Sequence, residues 1–475
     1  MKKELHPLFR RARRRSRTSE ALFLAAAIFC AFSASGCETV HEAREAQKGE
    51  DLPRGERSAR FEEYGFQPGT QLDLTDLEAI ALDANPAIYQ ARQAVISAQL
   101  AVKDVKADYL PTLDAEGSYT HSTDNTTKHG QSFHGYNRSK LGLSLDLLLF
   151  DFGKTDASVQ KAIEELISAE KTLVAEENRV RYEVRNAYFE VRRAVELNTV
   201  AEQSVAQYRE HLGQMRAKYE VGSGTKYDCT YAEVDYHRAV LDQIQKSNNI
   251  STTRAQLNLA LGLEENAEYE LGNHSETDIV EVSANSENLM KIAEENEPGY
   301  LALLAEERAA SAYVDRTVAD LYPTLGLNFS ATLEGDDLDL PKIWNVLGAG
   351  SITENVFNGG RNMRAIEDAV AKLRTARSTV AAYRQSLYEK ISVAVLTLTS
   401  AKKQYEVATL AARAAQENFD IVSEKFSVGK ASSLDRTDAQ VSLTEARAEV
   451  VSSEYDYYEA IAEIRYLVGT DDSLQ

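Results

Sequence analysis

Lys140-Leu141-Gly142-Leu143-Ser144-Leu145-Asp146-Leu147-Leu148-Leu149-Phe150-Asp151-Phe152-Gly153-Lys154 changes its hydrophobic period at its own midpoint. Leu141, Leu143, Leu145, Leu147 and Leu149 alternate with Lys140, Gly142, Ser144 and Asp146, broken only by Leu148. A period of two over about ten residues puts the five leucines on one face of a strand. From Gly153 the period becomes helical and persists to about Tyr219. At about 1.5 Å per residue such a helix is on the order of 100 Å long, too long for the core of a compact domain. A soluble half-buried strand would need a second layer against its leucines, and the neighbouring sequence supplies none. One apolar and one polar face at roughly ten residues per strand is the pattern of a transmembrane barrel.

The same signposts recur. Phe150-Asp151-Phe152-Gly153-Lys154 returns 207 residues later as Phe357-Asn358-Gly359-Gly360-Arg361. Lys218-Tyr219-Glu220-Val221-Gly222 returns at that shift as Lys425-Phe426-Ser427-Val428-Gly429, and Leu261-Gly262 as Val468-Gly469. Nearer the front the shift is 212, matching Asn85-Pro86 to Glu297-Pro298 and Pro111-Thr112-Leu113 to Pro323-Thr324-Leu325. The chain is therefore one structural unit encoded twice.

Within the first copy, Thr75 and Glu78 have the spacing of a capping box, and Asp76 suits the first turn of a helix. That helix is expected to run through Ala91 and Val102 to about Asp108, before Pro111. Leu113, Ala115, Gly117, Tyr119 and His121 then alternate with polar residues, and a polar loop is expected over Ser122–Ser139. In the second copy the strand is Leu325, Leu327, Phe329, Ala331 and Leu333. Its return, about Ile343 to Val356, alternates poorly. Tyr109, Phe150, Tyr322 and Phe357 fall at the same ends of the four strands, as an interfacial girdle requires. Val180, Val184, Ala187, Val191 and Ala194 form a coiled-coil seam. It is repeated as Leu387, Ile391, Ala394, Leu398 and Ala401.

The 475 residues contain 8 prolines and 24 glycines, many at these markers, and the long stretches between are free of proline. Residues 1–36 are different. They carry eight Lys or Arg and two acidic residues, then an apolar run from Ala21 to Phe32, then Ala34-Ser35-Gly36-Cys37. A basic start, an apolar core too short to span a bilayer and small residues at its end read as a secretion signal. The last four residues resemble the lipobox of bacterial lipoproteins, in which the cysteine is acylated and becomes the new N-terminus. Position 34 is Ala where that family most often has Leu. Glu38 stands where a retention signal for the inner membrane usually has Asp, which favours the outer membrane. Residues 37–71 then read as a lipid-anchored tether.

Net charge is −21 overall, and −27 once residues 1–36 are removed. Such acidity argues against nucleic acid or anionic lipid as the main partner. Of three cysteines, Cys30 leaves with the signal and Cys37 is the expected lipid attachment point. Cys229 then remains alone, so no disulfide is expected. Gly222-Ser223-Gly224-Thr225-Lys226 faintly resembles a phosphate loop but follows a helix rather than a strand. His121, His129 and His134 share one polar loop, where solvated histidines are commoner than metal ligands. No nucleophile–base arrangement can be assembled. No enzyme, cofactor or metal is expected.

A duplicated helix, hairpin, long helix, turn and long helix resembles the TolC-type outer-membrane efflux family. Tyr109-Leu110-Pro111-Thr112-Leu113, Phe-x-x-Gly after both hairpins, the two Val-Gly turns and Leu261-Gly262 carry that likeness. It extends over about Leu72 to Gly469 and looks most like the family's lipoprotein branch. The expected class is mainly α with a small transmembrane β part. Repeat 1 is residues 72–262, with a β-hairpin over 112–150 and a turn at 221–225. A linker follows over 263–287. Repeat 2 is 288–469, with a hairpin over 324–357 and a turn at 428–432, and 470–475 are a tail. Each chain offers four strands, and membrane barrels start at about eight, so several chains must share one barrel. The spacing leaves three or four chains open; the family implies a homotrimer with a shared 12-strand barrel and an α-helical tunnel.

The resemblance also implies that the tips, Val221, Gly222, Ser223 and Gly224 with Val428, Gly429 and Lys430, meet a periplasmic adaptor protein. An inner-membrane transporter would be coupled through it. Asp228 and Asp435, each six residues after a turn glycine, match gate aspartates, and Asp438 matches a second one. Asp435 and Asp438 share a helix face, and a trimer would crowd six carboxylates together, raising some pKa values. The tyrosine and arginine that latch the gate in the family's best-known members are here Phe426 and Ala431. The implied function is an outer-membrane export channel. The outer-membrane component of type I protein secretion, or a lipid-anchored structural coiled coil without a pore, are the alternatives.

Overall fold

A computed structural model of the chain describes residues 60–64, 69–124, 134–263, 269–272, 285–336 and 343–469, with Thr39, Ala43 and Arg54 before them. The chain divides into two units, Met1–Arg57 and Ser58–Gln475, and both repeats belong to the second. The secretion signal, Cys37 and the 470–475 tail lie outside the described residues.

The first repeat contains β1 (Gln71–Leu72), α1 (Leu74–Ala84), α2 (Pro86–Ala107), β2 (Thr112–Asp124), β3 (His134–Phe150), α3 (Lys154–Glu220) and α4 (Lys226–Ala260). After β4 (Glu270–Leu271), the second contains α5 (Ser286–Asn296), α6 (Pro298–Ala319), β5 (Thr324–Asp336), β6 (Ile343–Thr353), α7 (Arg361–Ser427) and α8 (Ser433–Val468). The two long helices α3 and α7 are 67 residues each, which is why the repeat keeps one shift through them.

Three expectations are corrected. The first helix is capped by Asp73 rather than Thr75: Asp76 accepts from the Asp73 amide at 3.2 Å. Glu78 is not a capping partner because it pairs with Arg185 of α3 at 2.6 Å. Nor is the helix continuous to Asp108. Pro86 has no amide to donate and holds the residue before it extended, so the chain breaks between α1 and α2. Asn85 caps the restart, accepting from the Ala87 amide at 2.9 Å. Glu297 does the same before Pro298, accepting from Gly299 at 3.0 Å and Tyr300 at 2.5 Å.

Third, the tether and the linker are partly structured. Phe61–Tyr64 forms a 3₁₀ turn, and Phe61 is buried against Tyr269, ring centroids 5.6 Å apart. β1 and β4 pair in parallel, and Tyr188 of α3 donates to the Gly272 carbonyl at 2.9 Å. Aromatic and leucine side chains scattered in polar sequence close the core beneath α1.

The hairpins form one antiparallel sheet in the order β2-β3-β5-β6, so the two repeats meet at β3 and β5. Leu141, Leu143, Leu145 and Leu147 stand opposite Leu333, Ala331, Phe329 and Leu327. A bulge follows Leu148, bringing Phe150 rather than Leu149 opposite Leu325. The leucine that interrupts the alternation therefore marks a real irregularity. β3 starts at His134, earlier than the polar loop allowed, and β6 is a full strand despite its weak alternation. Gly348 explains part of that weakness: a Cβ there would stand 3.0 Å from the Phe329 ring, which would have to shift to make room for it. Among the described residues no helix packs across either face of the sheet.

The helices pack around α3, which lies against α1, α2, α4, α6 and α8, while α7 lies against α5, α6 and α8. The seam residues Val180, Val184, Val191 and Ala194, and all five second-copy counterparts, are buried, whereas Ala187 is half-buried beside fully buried Tyr188. Gly262 and Gly469 close the repeats in the left-handed region. A Cβ on them would lie 3.0 Å from the Ala84 carbonyl oxygen and 2.8 Å from that of Asn296. Each closing glycine thus abuts the helix break of its own repeat.

Candidate functional site

Both long helices end in the same capped reversal. The amides of Gly222 and Ser223 bond the carbonyls of Tyr219 and Lys218, at 3.0 and 2.9 Å. Those of Gly429 and Lys430 bond Phe426 and Lys425, at 3.1 and 2.8 Å. This pairing needs a left-handed residue after the helix, and both glycines supply it. Val221, Gly222, Ser223, Val428, Gly429 and Lys430 are exposed, with Gly224 half-exposed. The phosphate-like motif is consumed by this turn.

The matched aspartates have a local task. Asp228 accepts from the Thr225 amide at 3.2 Å and its hydroxyl at 2.6 Å, opening α4. Asp435 accepts from the Ser432 amide at 2.8 Å and its hydroxyl at 2.7 Å, opening α8. Within one chain the Asp435 carboxyl is held below the ordinary value, first by the Ser432 backbone hydrogen bond and then by its hydroxyl. That is opposite to the rise expected from crowding between chains. Asp438 is exposed, and its carboxylate has no hydrogen bond or ion pair among the described residues. The duplicated position is thus a capping box, and the free carboxylate is the unduplicated one.

Above the second turn lies a cluster that spacing did not reveal. Phe426 is 6% exposed and packs with Leu212, Met215 and Ala232. Ala431 joins this cluster. Lys218 Nζ stands 3.9 Å from the centre of the Phe426 ring. The His211 ring lies 5.6 Å away and the Arg436 guanidinium 5.8 Å. No sequence signal marked His211; its site exists only where the two repeats meet.

At the opposite end, Phe152 stacks on Tyr322 at 5.5 Å and meets Phe150 edge-on at 4.8 Å. Tyr109, Phe150, Tyr322 and Phe357 are exposed, as a girdle needs. His121 faces Asn137 across β2 and β3, with Nδ1 2.5 Å from Oδ1. His129 and the His134 side chain lie outside the described residues. Among the described residues no group of three or more His, Cys, Asp or Glu could hold a metal ion.

The family model "Outer membrane efflux protein" matches residues 78–263 and 289–470, one span for each repeat. The chain belongs to the outer membrane efflux protein family. Among relatives, the outer membrane efflux protein BepC of Brucella suis is 26% identical over 355 residues, 74% of this chain and 75% of BepC. TolC of Escherichia coli is 21% identical over 392 residues, 78% of this chain and 76% of TolC. The fold matches the Campylobacter jejuni CmeC outer membrane channel with a TM-score of 0.73 at 19% identity, covering 83% of this chain and 85% of CmeC. The open state of Neisseria gonorrhoeae MtrE matches at 0.72 and 20% identity, covering 84% and 89%.

Proposed function

We propose that the protein is the outer-membrane channel of a tripartite export system: a passive homotrimeric conduit, gated at its periplasmic tip. The uncovered four-strand sheet carries this reading. Its leucine face has no protein layer among the described residues, and β2 and β6 leave two unpaired edges. In lipid every backbone group must be paired, so such a sheet must close with copies of itself. Three copies give the twelve-strand barrel that the family likeness implies, its polar face turned to the lumen.

Two helical faces support head-to-tail closure. Val234, Leu241 and Ile244 on α4 are exposed, as are Val393, Leu396, Val407 and Leu410 on α7; the two helices meet at the tip, where Phe426 packs with Ala232, and leave these side chains uncovered. A heterologous contact between them, repeated about a threefold axis, closes a ring. The exposed turns would then meet the adaptor, and through it an inner-membrane transporter. Acylated Cys37 would hold the chain to the outer membrane. In this ring Asp438 contributes three free carboxylates and Asp435 three capped ones.

Planar-bilayer recording tests the channel. The purified trimer should conduct and run as a heat-modifiable species in detergent. Asp435→Ala with Asp438→Ala should raise conductance and weaken block by divalent cations. Asp438→Asn alone, which leaves the α8 cap intact, should reproduce most of the loss of block. A trimer that never conducts would favour the pore-free coiled-coil alternative, and unchanged block would remove the gate assignment.

A further inference from the structure

The family's latch tyrosine and arginine are absent, yet the second turn is not loose. Phe426, one turn before it on α7, is buried between residues of both repeats. Lys218 and His211 come from α3, and Arg436 from the first turns of α8. Arg436 is itself 8% exposed and lies 5.8 Å over the Phe419 ring as well as over Phe426. Cations over an aromatic face attract its quadrupole, and more strongly when water is excluded.

His211 completes the cage. It is 2% exposed, and its Nε2 lies 3.0 Å from the Ser433 hydroxyl, beside the Ser432 cap of α8. Its Nδ1 has no hydrogen-bond partner among the described residues. The charged groups that face it are both cationic: Arg436 from α8 and Lys218 from its own helix. α7 presents Phe426, which carries no charge. From α4, buried Asp235 pairs with Arg238 at 3.8 Å and acts on Tyr208, and Glu210 of α3 acts on Arg436. A proton on His211 would therefore add a third cation to a buried site in which no carboxylate acts on the ring itself.

We propose that Phe426, caged by Lys218, His211 and Arg436, is the latch that keeps the second turn against the first repeat, and that protonation of His211 releases it. The effect on transport rests on the second turn being the gate. Burial, with Arg436 and Lys218 adding to it, pushes the His211 imidazole down to about 4. A released tip that returns the ring to water restores its ordinary value of 6.5. Acidification then favours the released state by linkage, at pH 5 by up to about 30-fold.

Single-channel recording of the full trimer at pH 7.5 and pH 5 tests this. Open probability should rise on acidification by up to about 30-fold. His211→Gln, which offers Ser433 an amide but takes up no proton, should lose most of that rise. Phe426→Ala should be more open already at pH 7.5, and Phe426→Tyr should stay closed. His237→Gln, an exposed histidine on α4, should keep the wild-type acid response. Spin labels at Val428 should report tips moving apart on acidification in the wild type and not in His211→Gln, independently of conductance. An acid response that survives in His211→Gln, or is absent from the wild type, overturns the latch. If Asp438→Asn still relieves divalent block in that case, the channel reading stands; a trimer that never conducts overturns both.

Discussion

Single residues show what the duplication preserves. The closing glycines are kept for two reasons, a left-handed backbone and contact with the carbonyl at the helix break. Gly262→Ala and Gly469→Ala should each lower stability by more than about 1 kcal/mol, since a Cβ there meets both strain and backbone. Gly222→Ala, strained but in open space, should cost less, and thermal unfolding of the three variants in parallel gives the order. Glu459 of α8 makes a second prediction. Its carboxyl is pushed up to about 7 by burial; Arg193 opposes the rise and Glu190 and Asp456 add to it. The folded state then holds a proton that the unfolded chain has lost, so this contribution is present below the usual carboxylate range and fades as pH rises through about 7. Glu459→Gln should flatten the pH dependence of unfolding between pH 5 and 8; an unaltered profile would remove the assignment. Of the site, the turn glycines and the aspartates were readable because their spacing is local. The capping role of Asp435 was less so, because Asp favours first turns for several reasons at once.

Elements show where the period of a sequence is enough and where it is not. The switch from period two to a helical period in Lys140–Lys154 placed β3 and α3 with no reference to the rest of the chain. The α1–α2 break escaped the same reading, although Asn85-Pro86 was in view, because helical periodicity resumes in phase after it. β6 was weak in sequence because Gly348 and Gly350 lie among its positions on the leucine face, one of them close against the Phe329 ring. Placing a charge in this sheet should separate its faces. Leu143→Lys puts it on the leucine face, where lysine near a bilayer midplane costs about 2–4 kcal/mol. Ser144→Lys puts it on the opposite face, which is polar. The first should block assembly of heat-modifiable trimers in outer-membrane fractions and the second should not; equal tolerance would argue against lipid contact.

For the whole molecule, the two repeats leave faces and edges uncovered. α4 and α7 carry exposed aliphatic side chains, and β2 and β6 have unpaired strand edges. Both kinds of edge call for another copy. Ile244→Glu on α4 or Leu410→Asp on α7 should reduce the trimer to monomers in light scattering while leaving helix content by circular dichroism intact. If the trimer persists in both variants, these faces are not the contacts between copies.

The sequence by itself determined the duplication, the lengths of the long helices, the hairpins and the turns. Each of these rests on period, proline or glycine, which act on the chain over a few residues. Only the tertiary structure decided that the two hairpins share a sheet through β3 and β5. It alone showed that residues before and between the repeats join the core, and that His211, Lys218, Phe426 and Arg436 converge. Those contacts join positions as much as about two hundred residues apart, and what selects them is the packing of whole helices against one another, which no local pattern records.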